Sequence, residues 1–391
     1  MINDPRPANA ANRNLAPPRA IRRPAARSAI KIILGIIAAL VALLLGLIVL
    51  LLIGVETGPV ALLIGLVSAT LPVPIYLVLV LWIDRYEAEP YWMLGTAFFW
   101  GAMVAVFFAF LINTAGTVAV VLLTNDMRAA ETYGAVISAP IVEESAKALI
   151  LFIFFFWKKD EFDGVIDGIV YAAMVGLGFA MTENIQYYGR AVTQYGGEGL
   201  TLVFILRGAI APFSHPMFTS LTGIGLGLAR QSRNAVVKFI APVFGLLAAI
   251  SMHAIWNGSA VIFGGVGFIL MYLLIMVPAF FIMFVVIALA LRREGQIVRE
   301  FLVPDFHGGL LTQQEYNQLG TLRGRMGASF NALSRGGLQH WQASRQLNQT
   351  ASELAFHRSR VARGISSADA HEREAAYRQA LEDLLKRLRS N

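Results

Sequence analysis

The sequence predicts an all-α protein: a polytopic transmembrane helix bundle of about eight spans, followed by a cytoplasmic helical C-terminal tail. Three observations predict it. Hydrophobic residues make up 57% of the 391 and charged residues only 15%, too little polar surface to cover a water-soluble fold of this size. Residues 32 to 53 are all apolar or glycine, and a helix of that length spans roughly 33 Å, enough to cross a bilayer core. Further apolar runs recur along the chain, separated by short polar or basic segments.

Residues 1 to 31 carry Arg6, Arg13, Arg19, Arg22, Arg23, Arg27 and Lys31 against Asp4 alone, which reads as a disordered basic tail. The bundle of residues 32 to 291 then divides into spans near 32–53, 59–82, 92–122, 134–157, 164–188, 200–229, 238–260 and 267–291. The first is too long for a cleaved signal and reads as a retained anchor. The third is long enough to tilt or break near Asn113 to Gly116, and Arg207, Pro212 and Pro216 predict a kink in the sixth. With the basic first tail in the cytoplasm, Lys158-Lys159, the Arg230, Arg233, Lys238 cluster and Arg292-Arg293 fall on the same side. Both termini are therefore expected on the cytoplasmic side of the cell membrane. In the tail of residues 292 to 391, Thr312 and Glu315 form a capping-box pattern. A second helix is expected from Ala368 to Arg389, with Tyr377, Leu381, Leu384, Leu385 and Leu388 on one face.

The composition also excludes chemistry. No cysteine is present, so disulfides, thiolate nucleophiles and thiolate metal sites are ruled out. The net charge of +7 resides in tails and at helix ends, where topology accounts for it, and nucleic acid is not an expected partner.

Ionisable side chains inside a span cost a few kcal/mol each and mark function or pairing. In the fourth span, Lys147 lies one turn from Glu143 and within reach of Glu144, so one carboxylate can be paired while the other remains open. A carboxylate in a dry, apolar site can accept and return a proton near neutrality, which a general base for water needs. The alternative is a structural Glu–Lys pair locking helices together. In the fifth span Phe179 and Glu183 share a face, and Gly164, Gly168, Ala172, Gly176 and Ala180 allow a neighbouring helix to approach closely. Asp163 and Asp167 at its start complement the helix dipole. His215 lies in the sixth span; His253 and Asn257, four residues apart in the seventh, point the same way. Two neutral donors there would face one oxygen and stabilise the oxyanion formed when water attacks a peptide carbonyl. Packing by hydrogen-bonded histidines is the plain alternative. Under the expected orientation Glu143, Glu183 and His253 lie about ten, five and seven residues from the outer ends of their spans, and His215 about fourteen from the inner end of its own. All four share the outer half of the membrane.

The ordered set Asp84-Arg85-Tyr86-Glu87-Ala88-Glu89-Pro90, Glu143-Glu144-x-x-Lys147, Glu161-Phe162-Asp163-Gly164 with Asp167-Gly168, Phe179-x-x-x-Glu183-Asn184, His215 and His253-x-x-x-Asn257 resembles the PrsW membrane proteases, within the wider superfamily of CAAX prenyl proteases and bacteriocin-processing enzymes. The likeness covers about residues 84 to 260. It implies a glutamate-dependent intramembrane endopeptidase acting on a single-pass membrane protein, an anti-sigma factor in the best-known role. The superfamily mechanism implies Glu143 as activator of water and His253 with Asn257 as holders of the oxyanion. Glu183 stands where the CAAX pattern has histidine, and either Glu183 or His215 is left as the water's second holder. No cofactor is implied.

Three other readings compete, one of them a catalytically silent scaffold that binds partners through its tails. A zinc protease would use the same glutamates and histidines, although no His-Glu-x-x-His occurs. A proton-coupled transporter would use midplane carboxylates, although no inverted repeat relates the halves. Nothing in the sequence fixes an oligomeric state.

Overall fold

The computed structural model describes residues 29–364 and 369–389; the basic tail expected over residues 1 to 31 lies, but for its last three residues, outside them. Every regular element among the described residues is helical. Two units are distinguished, Ala29–Leu291 and a second containing Arg292–Asn391.

In the first unit α1 (Ala29–Thr57) is followed by α2 (Pro59–Thr70) and α3 (Val73–Ile83), the last two separated at Leu71-Pro72 because proline lacks the N–H that a continuous helix needs. Next come α4 (Tyr91–Phe99), a π-helical turn (Trp100–Ala105) and α5 (Val106–Thr124). The break expected near Asn113 to Gly116 therefore occurs earlier, and α5 runs unbroken through Asn113. The π-helical turn contains Gly101, where a Cβ would sit 2.0 Å from the Val175 carbonyl oxygen, so the irregularity falls where two backbones touch. The chain continues through α6 (Met127–Tyr133), a π-helical turn (Gly134–Ser138), α7 (Ala139–Trp157), α8 (Val165–Phe204), a π-helical turn (Ile205–Ile210), α9 (Ser214–Gln231), α10 (Ala235–Met271) and a further π-helical turn (Tyr272–Met276).

Five stretches among the described residues are long and apolar enough to cross a membrane: Ile32–Thr57, Pro59–Ile83, Tyr91–Thr124, Val165–Gln231 and Ala235–His307. The protein is a multi-pass membrane protein. The last two stretches hold 67 and 73 residues, about 100 Å or more if straight, and each folds back at a glycine of positive φ, Gly196 (65°) and Gly264 (67°). The reversals are recorded by contacts: Arg207 donates to the Asn184 side chain at 2.5 Å, and the Trp256 ring meets Phe268 and Tyr272. The kink expected in the sixth span is present, since the helix is interrupted over Ala211–Phe213. α7 is not among the five because it carries Glu143, Glu144 and Lys147.

α8 is the central element, buried along most of its length. Its small-residue face forms as the sequence predicts: a Cβ on Gly168 would lie 2.1 Å from the Gly223 carbonyl oxygen of α9, and one on Gly176 would lie 2.6 Å from the Pro216 nitrogen. On another face a Cβ on Gly178 would lie 2.0 Å from the Phe98 carbonyl oxygen of α4. Helices that approach this closely gain packing over long faces, the main attraction available between helices in lipid.

The second unit holds the end of α11 (Val277–His307), α12 (Gln313–Leu319), α13 (Leu322–Ala362) and α14 (Ala370–Arg389). The expected capping box forms, with the Thr312 amide donating to Glu315 at 2.8 Å and the Glu315 amide to Thr312 Oγ1 at 3.2 Å. Tyr377, Leu381, Leu384 and Leu385 of α14 are buried, with Tyr377 against the His357 ring of α13. The α14 face therefore docks inside this unit, and the long α13 was not expected.

Gly168→Ala or Gly223→Ala places a methyl group on the facing backbone. Each is expected to cost about 1–3 kcal/mol and to lower the thermal unfolding midpoint in detergent, whereas Gly35→Ala, with nothing within 4 Å of the new Cβ, leaves it unchanged.

Candidate active site

The costly side chains of four helices converge. α7 supplies Glu143, Glu144 and Lys147; α8 supplies Phe179 and Glu183; α9 supplies His215; α10 supplies His253. Close glycine contacts fix the register, because Gly176 against Pro216 places His215 beside the Phe179–Glu183 turn of α8.

Lys147 stands at the centre, fully buried. Its ammonium donates to Glu144 Oε1 at 2.8 Å, approaches Glu143 Oε2 at 3.5 Å, meets His215 Nδ1 at 3.1 Å and lies 3.8 Å above the Phe179 ring. Glu144 is saturated: His253 Nδ1 is 3.0 Å from the oxygen that Lys147 also holds, and Thr219 donates to its other oxygen at 2.9 Å. Glu183 is likewise engaged, by Arg207 and by His215 Nε2 at 2.8 Å. Glu143 differs. Asn113 Nδ2 lies 3.5 Å from its Oε1, and His253 Nε2 is 3.9 Å from its Oε2. All its contacts are longer than those of its neighbours. Three carboxylates face two cations, Lys147 and Arg207, and Glu143 is the least closely paired.

Glu143 and Glu183 also line a cavity of about 500 Å³ between α1, α5, α7 and α8 and the turn before α7, whereas Glu144 does not. Val49 and Ile53 of α1 form part of its wall, so the segment read as an anchor also shapes the site. Asn113, Thr114 and Thr117 give one side a polar ribbon, and Glu131 and Arg190 also line it.

The sequence reading placed His253 and Asn257 as paired neutral donors, and the geometry corrects this. Asn257 donates to the Ala135 carbonyl at 2.8 Å and so ties α10 to the turn preceding α7. His253 Nδ1 is taken up by Glu144 at 3.0 Å, and its Nε2 lies 3.9 Å from Glu143 Oε2, so the two side chains do not face one shared oxygen. Sequence reasoning also missed three side chains. Asn113 was noted only as a break point, yet Ser138 donates to its Oδ1 at 2.8 Å and so directs its amide N–H at Glu143. Thr219 and Arg207 hold Glu144 and Glu183. Arg207 was visible in principle, being an ionisable group within a span.

Glu143, His215 and His253 each offer a donor atom, all within 4.8 Å of one another, the composition of a His₂Glu metal site. The arrangement fits a metal poorly. Both nitrogens of His215 are engaged, one by Glu183 and one by the Lys147 ammonium, and that ammonium already supplies a positive charge beside Glu143 and His215.

A second buried acidic group, at the end of the bundle where α9 finishes, fastens the loops. Asp167 accepts the Asp163 and Gly164 amides at 2.8 and 2.7 Å, capping α8 as expected. Glu89 accepts from Tyr171; burial, with Asp167 and Asp84 nearby, holds its carboxyl well above the usual carboxylate range.

Residues 89–283 match the family model of PrsW family intramembrane metalloproteases. The match covers just under half of the chain, so the chain is similar to the PrsW family over this stretch. Over 150 residues the chain is 34% identical to the "Protease PrsW" of Geobacillus kaustophilus (strain HTA426), covering 38% of this chain and 58% of that protein. Over 159 residues it is 35% identical to the protein of the same name from Bacillus subtilis (strain 168), covering 40% and 65%. The chain thus spans less than two thirds of these relatives' length. No solved structure matches it. The stretch that matches the family model contains the whole Glu143–Glu144–Lys147–Glu183–His215–His253 cluster, while α1 and the second unit lie outside it.

Glu144→Gln leaves a buried ammonium short of its closest partner and is expected to cost about 3–5 kcal/mol. Glu143→Gln, whose contacts are all long, is expected to cost under about 1 kcal/mol. Thermal unfolding of the two purified variants distinguishes them.

Proposed function

We propose that this protein is a glutamate-dependent intramembrane endopeptidase in which Glu143 activates the water. The observation that carries the reading is the contrast between adjacent glutamates: Glu144 is closed off by Lys147, His253 and Thr219, whereas Glu143 faces the cavity with only long contacts. A general base must reach its substrate, and only Glu143 of this pair does so.

In this reading a water lies between Glu143 Oε2 and His253 Nε2, whose 3.9 Å separation suits one oxygen hydrogen-bonded to both. Glu143 takes the water's proton as the hydroxide attacks the substrate carbonyl carbon. The carbonyl oxygen becomes an oxyanion within the field of the Lys147 ammonium, which stands behind Glu143 at 3.5 Å from its Oε2 and stabilises it electrostatically without touching the substrate. The C–N bond then breaks, and Glu143 returns the proton to the leaving amine. Asn113 orients Glu143, Glu144 orients His253, and Arg207 with Glu183 orients His215. Phe179 supports the Lys147 ammonium.

The chain is read as eight spans with both termini in the cytoplasm of a cell membrane, its cavity in the outer half. The proposed substrate is a single-pass membrane protein unwound along the polar ribbon of α5, an anti-sigma factor being the candidate that the family likeness suggests. The CAAX-protease likeness supports a glutamate mechanism. The clustering of Glu143, His215 and His253 favours one second reading, a zinc peptidase.

Cells carrying the wild-type chain or Glu143→Gln are compared for shortened single-pass proteins in their membranes. Glu143→Gln is expected to abolish such products at unchanged expression, and cleavage at the normal rate would exclude Glu143 as the base. Activity of the purified protein is expected to survive chelators; loss on chelation with recovery on added zinc would replace this mechanism by the metal one.

A further inference from the structure

The second unit contains a hairpin built inside out. α13 reverses at Gly336–Gly337, where Gly337 has φ 65°. The seam between its arms is polar: Arg325 donates to Ser352 at 2.7 Å, Ser329 and Ser344 are 3.2 Å apart, and Asn348 donates to Ser329 at 3.3 Å. Leu347 is buried, but four large apolar side chains towards the tip are left outside. Met326, Phe330 and Leu333 recur at helical spacing on one arm and Leu338 begins the other, with exposures of 51%, 70%, 37% and 69%. A hairpin stable in water alone would place these the other way round.

The surrounding charge is of one sign. Residues 316 to 352 include Arg323, Arg325, Arg335 and Arg345 and no aspartate or glutamate. Arg323, Arg335 and Arg345 are exposed, and the Arg345 guanidinium lies 4.9 Å from the Trp341 ring centre. Apolar side chains at a tip flanked by arginines match the boundary between acyl chains and anionic headgroups.

We propose that the α13 hairpin tip inserts into the surface of an anionic bilayer, with Phe330, Leu333 and Leu338 at the acyl boundary and Arg323, Arg335 and Arg345 on lipid phosphates. Charge decides between this occupant and a second copy of the chain, because two surfaces of the same sign repel whereas anionic lipid attracts. Chain length permits it. The hairpin's base adjoins Arg299, where Tyr316 donates to the Arg299 carbonyl at 2.9 Å and Gly320 packs on the Arg299 side chain. Arg299 is eight residues beyond Leu291, about 12 Å of helix, and the arm from Leu322 to Gly336 reaches about 21 Å. The proposal is independent of the peptidase reading.

The chain lacks cysteine, so single-site labelling is clean. Full-length protein carrying Leu338→Cys, labelled with a polarity-sensitive fluorophore, is reconstituted into phosphatidylcholine vesicles with and without phosphatidylglycerol; Gln314→Cys on exposed α12 is the control. The 338 label is expected to shift to the blue and to resist aqueous iodide only in anionic vesicles. Replacing the three exposed arginines by glutamine should reverse this, each weakening the partition roughly fivefold. Equal quenching of the 338 and 314 labels in both bilayers would overturn the proposal. So would protection that is independent of lipid charge and fades as the protein is diluted in lipid, which would mark a second copy as the occupant.

Discussion

A single buried ammonium organises this protein. Lys147 has no exposure to solvent, and a charge in that position persists only if carboxylates and a ring face surround it. Glu144, Glu143, His215 and the Phe179 ring supply that surround from three helices. Because Lys147 draws Glu144 into a closed network, two adjacent and chemically identical residues acquire different surroundings. One becomes scaffold, and the other is left facing a cavity.

The network depends in turn on how closely backbones approach. Were α8 and α9 separated by ordinary side chains, His215 would not lie within hydrogen-bond distance of both Glu183 and Lys147. The glycines at 168, 176 and 223 remove that separation. Gly178 does the same towards α4, and Gly101 seats the irregular turn before α5 against α8. Small residues on α8 are thus part of the site's geometry although none carries a reactive group. At the rim, Asn257 fixes the turn before α7 by taking the Ala135 carbonyl, which sets the entry angle of the helix that bears Glu143.

Much of this was legible in the sequence, for a physical reason. Lipid demands apolar runs and penalises ionisable groups, so helices and costly residues both stand out in one dimension. Glu143, Glu144, Lys147, Glu183, His215 and His253 were visible on that ground, and the structure brings them together. Asn113 and Thr219 were not, because a neutral polar side chain in an apolar helix costs little and its partner is remote: Thr219 is 75 residues from Glu144. The direction of Asn257 was misread because helical spacing gives a shared face but not what occupies it. The helix break assigned near Asn113 fell instead at the Gly101 contact, which depends on a helix far along the chain. The α13 hairpin escaped notice because the large apolar residues near its tip face outward and its seam bonds are made by arginine, serine and asparagine, so no core-type period marks that part of it.

The division of labour between the adjacent glutamates can be read directly by chemical labelling. A hydrophobic carbodiimide reacts with accessible, protonatable carboxyl groups in apolar surroundings, and fragmentation mass spectrometry resolves neighbouring residues in one peptide. Treatment of the detergent-solubilised full chain is expected to modify Glu143 while leaving Glu144 unmodified. Modification of Glu144 at the same rate as Glu143, or of Glu144 alone, would contradict a site in which, of the adjacent pair, only Glu143 faces the cavity.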